Sequence, residues 1–167
     1  MKLRSLVIAA AAASALTFPT IAQAGEKTVG IRAGYNTRAT TAVAGVVFQY
    51  RFSRYFRLSP NVDYYFRHDG ADALSLNANA HFPVASGVGG RLVFYPLAGL
   101  NYTSWNYHLD DDINDDASTR VSRLGLNGGA GLEFYATPSL KFSLEAKATF
   151  IKQYSSGTFS LSIGYVF

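Results

Sequence analysis

The sequence predicts an all-β fold, an eight-stranded antiparallel up-and-down barrel that crosses a membrane with its strands. Three observations carry this. Residues 25–167 divide into eight segments in which apolar and polar side chains alternate. The apolar parity of all eight carries no charge. No stretch of this region has the ~20 consecutive apolar residues that a spanning helix needs. Composition agrees: with 49% hydrophobic residues, 12 Phe and 11 Tyr, the chain is too apolar for disorder, and the lack of Cys excludes a disulfide framework or a thiolate metal site. Lys and Arg never form a run, so the net charge of +4 offers no track for nucleic acid.

The first element, residues 1–24, reads as a cleavable export signal. Lys2 and Arg4 precede an apolar core at 6–16, followed by Pro19 and the small-residue site Ala22-Gln23-Ala24. That core is about half the length of a spanning helix. Cleavage leaves residues 25–167 as one barrel domain.

The strands follow in order. Segment 28–36 sets Val29, Ile31, Ala33 and Tyr35 against Arg32, and 41–52 sets Phe48, Tyr50 and Phe52 against Arg51. In 56–67, Phe56, Leu58, Pro60, Val62, Tyr64 and Phe66 face one way, Arg57, Asn61, Asp63 and Arg67 the other. Segment 74–82 opposes Ala78, Ala80 and Phe82 to Asn77 and Asn79, and 91–103 opposes Ala98 and Tyr102 to Arg91 and Asn101. Segment 124–135 carries Glu133 and Asn127 opposite Ala130 and Phe134. In 140–151, Phe142, Leu144, Ala146, Ala148 and Phe150 alternate with Lys141, Glu145 and Lys147. The last, 158–167, places Phe159, Leu161, Ile163, Tyr165 and Phe167 on one face. Each is near or above the ~9 to 11 residues of a tilted spanning strand.

The apolar face must point outward. An eight-stranded barrel has an interior just wide enough to be filled by side chains, and the large apolar set would not fit there. Outward charges would cost ~2 to 4 kcal/mol at the bilayer midplane, which explains their absence. Outward aromatics gather near the strand ends and alanines near the middles, as expected for interfacial belts. An open edge in hydrocarbon would strand backbone N–H and C=O groups, so the last strand must pair with the first.

Connections after the second, fourth and sixth segments are mostly short, whereas the others include the longest, at 104–123. Short turns on one side and longer loops on the other are the asymmetry of bacterial outer-membrane barrels, with both termini on the periplasmic side. The chain ends TFSLSIGYVF, and this ending resembles the C-terminal β-signal of outer-membrane proteins. The resemblance implies recognition of Leu161, Ile163, Tyr165 and Phe167 by the barrel assembly machinery. As a whole, residues 25–167 resemble the small eight-stranded outer-membrane families, OmpX-like, opacity-type and OmpA-barrel-like. The segments YPLAGLNY (95–102) and GLNGGAGLEFY (125–135) are similar to the glycine-spaced strands of the opacity-type group.

The inward set holds Arg32, Arg51, Arg57, Arg67, Arg91, Lys141 and Lys147 against Asp63, Glu133 and Glu145. Buried charges need partners, so this set is expected to form a paired polar plug that fixes register. The alternative is a narrow channel or small-molecule conduit whose positive excess favours anions. Asp110, Asp112, Asn114 and Asp116 have the 1, 3, 5, 7 spacing of a calcium loop, but Asp115 stands where Gly is needed and Val121 where Glu is needed. The segment therefore reads as a solvated acidic loop tip, with Ca²⁺ or Mg²⁺ shared with lipopolysaccharide phosphates as the alternative. His68 and His108 lie near Asp69, Ser104 and Asp110, yet the His-x-Ser arrangement of the lipid A deacylase family is missing. The expectation is a monomer without catalytic residues or cofactor, surrounded by outer-membrane lipid and lipopolysaccharide, with a structural or surface-interaction role. A lipid A-modifying enzyme is the more distant alternative.

Overall fold

The computed structural model describes residues 24–68, 70–108, 118–152 and 155–167. The export signal, apart from its last residue, and the acidic residues Asp110, Asp112, Asn114 and Asp116 lie outside the described residues. The strands are β1 (Lys27–Asn36), β2 (Thr41–Ser53), β3 (Phe56–His68), β4 (Ala71–His81), β5 (Ala85–Gly87), β6 (Leu92–His108), β7 (Ser118–Thr137), β8 (Leu140–Phe150) and β9 (Ser156–Val166). All neighbours are antiparallel, and β9 pairs with β1 from Thr28↔Val166 to Asn36↔Thr158, which closes the sheet.

Nine strands make eight staves. β4 pairs with β6 as far as His81↔Leu97, and β5 continues along the same edge from Ala85↔Phe94 to Gly87↔Leu92. The break between them contains Pro83, which has no N–H to donate. Phe82 N donates to Pro96 O (3.0 Å) and Val84 N to Phe94 O (3.1 Å), so the chain stays against β6 across the interruption. The turn that follows places Val88 at φ 50°, beside Gly89 and Gly90 at 65° and 83°. A β-branched residue is strained there, and Val88 is 74% exposed, so no packing offsets the strain. Val88→Asn is expected to raise unfolding stability by up to about 1 kcal/mol, read from urea titration of the refolded protein in detergent.

β6 and β7 are longer than their expected segments. The ladder runs on through Ser104↔Ser122, Asn106↔Arg120 and His108↔Ser118, so much of the expected long loop is a two-stranded ribbon. Its outward positions, Ser104, Asn106, Arg120 and Ser122, are polar, which marks where the apolar band ends. The loop-end asymmetry is smaller than expected: the connections at 37–40, 69–70 and 151–155 span two to five residues.

The outward side chains are exposed and apolar, with Ile31 at 66%, Leu161 at 64% and Leu100 at 63%. Aromatic rings Tyr50, Phe52, Phe56 and Phe82 touch in sequence around the turn end, at centroid separations of 4.6, 5.6 and 5.9 Å. Between the belts, Ala80, Ala98, Gly128 and Ala148 form one cross-strand row. The large continuous apolar surface is the kind that water does not tolerate and lipid does.

Candidate functional site

The interior is built from inward residues of every long strand, in layers from the turn end to the loop end. In the first layer, Glu133 (β7) accepts from Arg57 Nη1 (β3) at 2.6 Å and lies 3.4 Å from Lys141 Nζ (β8). Arg57 Nη2 donates to His81 Nδ1 at 2.9 Å, and since Arg has no acceptor, His81 carries its proton on Nε2. The His81 ring stacks on Tyr95 with centroids 4.4 Å apart. Glu26 completes the layer: its carboxylate lies 3.5 Å from Arg51 Nε and 3.7 Å from Lys141 Nζ, and accepts from Tyr135 Oη at 3.0 Å.

The second layer centres on Arg32 (β1), which pairs with Asp63 (3.2 Å) and Glu145 (3.3 Å) and donates to Ser160 Oγ at 2.7 Å. Tyr95 Oη donates to Glu145 Oε2 at 3.2 Å and so ties this layer to the first. Tyr95 needs Gly131 opposite it, because a Cβ at that position would run into the tyrosine ring. Gly131→Ala is expected to destabilise the barrel by about 1–3 kcal/mol in the same urea assay, the range for overpacking a filled interior.

The third layer is mostly amide. Asn77 (β4) is its hub: Oδ1 accepts from Asn101 Nδ2 (2.9 Å), Asn127 Nδ2 (2.9 Å) and Lys147 Nζ (3.2 Å). Its Nδ2 donates to Asn61 Oδ1 (2.9 Å) and Asp63 Oδ2 (3.3 Å). At the loop end an apolar cluster of Val43, Tyr65 and Ala73, with Ala39 and Trp105 against it, closes the mouth. A cavity of about 10 Å³ between Tyr65, Trp105 and Ile151 has room for one water. At the turn end Val93, Tyr135 and Val166 form the opposite cap.

Of the ten charged residues expected inside, eight are buried here: Arg32, Arg51, Arg57, Asp63, Glu133, Lys141, Glu145 and Lys147. Two stand apart. Arg67 lies within the register shift between Tyr65 and His68 and is exposed at the rim. Arg91 is half-buried in the turn before β6, where its carbonyl accepts from Tyr135 N at 2.9 Å. Glu26 and His81 are inside although the alternation analysis did not assign them there. Both follow the inward parity of their strands: extending the first segment back past Thr28 would have found Glu26, and carrying the parity of Asn77 and Asn79 to the end of segment 74–82 would have found His81. Among the described residues of the interior, five cations therefore face four carboxylates, and the expected positive excess shrinks to one charge. Leu161, Ile163, Tyr165 and Phe167 lie on the outer face, 47–64% exposed.

A closed barrel with an apolar exterior and a filled, charge-paired lumen defines an integral membrane protein of the β-barrel class. Residues 8–167 match the outer membrane protein beta-barrel domain family, and the chain belongs to it. It is therefore a protein of the bacterial outer membrane. Similar solved structures include the N-terminal barrel of Pseudomonas aeruginosa OprF, with 19% identity over 86% of this chain and 98% of that one and a TM-score of 0.66. Ail of Yersinia pestis shares 17% identity over 87% of this chain and 100% of that one, at a TM-score of 0.60. Neisserial surface protein A shares 14% over 85% and 96%, at 0.68. At these identities the likeness concerns the fold. No curated protein matches the sequence.

Proposed function

We propose that this outer-membrane barrel is a non-enzymatic monomer with a structural or surface-interaction role, its interior a register-fixing plug rather than a path. The observation that carries this is the filling of the lumen: every inward carboxylate of the three layers has a cation within 4.0 Å, and apolar caps lie at both ends. Residues 1–24 serve as the export signal, and both termini face the periplasm. Leu161, Ile163, Tyr165 and Phe167 are read by the barrel assembly machinery, while lipid and lipopolysaccharide surround the apolar band. Exposed Arg38, Arg67, Arg120 and Lys152 place cations at the loop end, beside the acidic loop, toward partners or phosphates.

Planar-bilayer recording tests the plug. Refolded protein is expected to give no reproducible conductance step, and steady anion-selective openings would replace the plug with the channel reading. Labelled lipopolysaccharide is expected to pass through incubation unchanged, and its hydrolysis would restore the enzyme reading.

A further inference from the structure

We propose that Lys147 and Asn77 form an intramolecular isopeptide bond across the lumen, with Asp63 as the catalytic acid and base. The reacting groups converge from three strands. Lys147 Nζ on β8 lies 3.2 Å from Asn77 Oδ1 on β4. Asp63 Oδ2 on β3 accepts from Asn77 Nδ2 at 3.3 Å and forms an ion pair with the same Nζ at 3.9 Å, so one carboxylate oxygen lies beside both the nucleophile and the leaving nitrogen. Its other oxygen forms an ion pair with Arg32 Nε at 3.2 Å. Asn101 Nδ2 and Asn127 Nδ2 both donate to Asn77 Oδ1 at 2.9 Å, where negative charge would develop. Two fixed donors on that oxygen are the arrangement that stabilises a tetrahedral adduct. All six side chains are 0–7% exposed, so water does not compete as nucleophile.

The step balances without a co-reactant. Lys147 transfers a proton to the Asp63 carboxylate, and the free amine attacks Asn77 Cγ, making the new C–N bond. Asp63 returns that proton to Nδ2 and takes the second amine proton. The Cγ–Nδ2 bond breaks, ammonia leaves, and a secondary amide joins β4 to β8. Amides resist amines in solution, but an amine already hydrogen-bonded to the reacting amide oxygen needs only to turn onto its carbon, and a nucleophile so aligned gains an effective concentration on the order of 10⁵–10⁸ M.

Mass spectrometry of the full barrel tests this. After folding, the protein is expected to be lighter than its denatured, never-folded form by one ammonia. Trypsin should no longer cleave after Lys147, and peptide 68–91 should appear joined to peptide 142–152. Locating the join separates it from ammonia loss at Asn127-Gly128. Lys147→Arg should abolish the joined peptide in a chain that still folds, and Asn77→Asp should reach the wild-type product by losing water instead. Recovery of 68–91 and 142–147 as separate peptides of unaltered mass from folded wild-type protein would overturn the proposal. So would a joined product in chains that never folded.

Discussion

Glu133→Leu is expected to lower the unfolding free energy of the refolded barrel by about 3–5 kcal/mol, the cost of leaving a buried ion-pair partner uncompensated. Glu133 is fully buried and receives Arg57 at 2.6 Å, Lys141 at 3.4 Å and Ser143 Oγ at 3.5 Å. Leucine fills comparable space, so the effect measures lost charge more than lost packing. Lys141 would retain Glu26, whereas Arg57 would keep, among the described residues, the His81 nitrogen and the Tyr95 face, 5.1 Å from its guanidinium carbon. Adding Arg57→Met should recover part of the loss, because a buried pair replaced whole costs far less than a pair broken. Arg67→Leu, at the exposed rim, should shift stability by no more than about 0.5 kcal/mol. Urea titration in detergent micelles reads all of these on one scale, and equal effects at Arg67 and Glu133 would contradict the layered interior.

Leu144→Arg is the second large effect. Leu144 lies on the outer face of β8 between Leu132 and Leu161 and is 50% exposed. On a water-soluble protein, adding charge at such a half-exposed leucine would change stability by about 0.5 kcal/mol or less. On a lipid-facing strand near the midplane it should cost about 2–4 kcal/mol. The same substitution at Ser122, on the outward parity of the ribbon above the apolar band, should be near neutral. This contrast, read from unfolding in liposomes, separates a lipid-covered wall from a water-covered one.

The fold was legible because a membrane barrel imposes one rule on every stave. Alternation from Phe142 to Phe150 tells strand from helix, and the missing charges on that parity tell outside from inside. The upper β6–β7 ribbon was not legible, since Ser104, Asn106, Arg120 and Ser122 carry no apolar alternation once the strands leave the bilayer. Inside, parity identifies which residues share the lumen, but Arg67 and Arg91 share it only in name, because depth along the axis decides whether a charge is buried. Glu26 lies just past the end of its alternating segment, where parity still holds and the hydrophobic signal has faded, whereas His81 lies inside segment 74–82 on the inward parity and follows from it directly. The convergence on Asn77 of groups from β3, β4, β6, β7 and β8 depends on closure and stagger of the whole sheet. No local pattern in the chain encodes it.

The lack of cysteine allows the central claim to be tested directly, with one nitroxide on Leu144→Cys in the refolded protein in liposomes. Collision with oxygen, which concentrates in hydrocarbon, should dominate over collision with a water-soluble nickel complex, and a label on Ser122→Cys should show the reverse. If the Leu144 label met the nickel complex as readily as the Ser122 label does, the charge-free face would be in water and the account would be wrong.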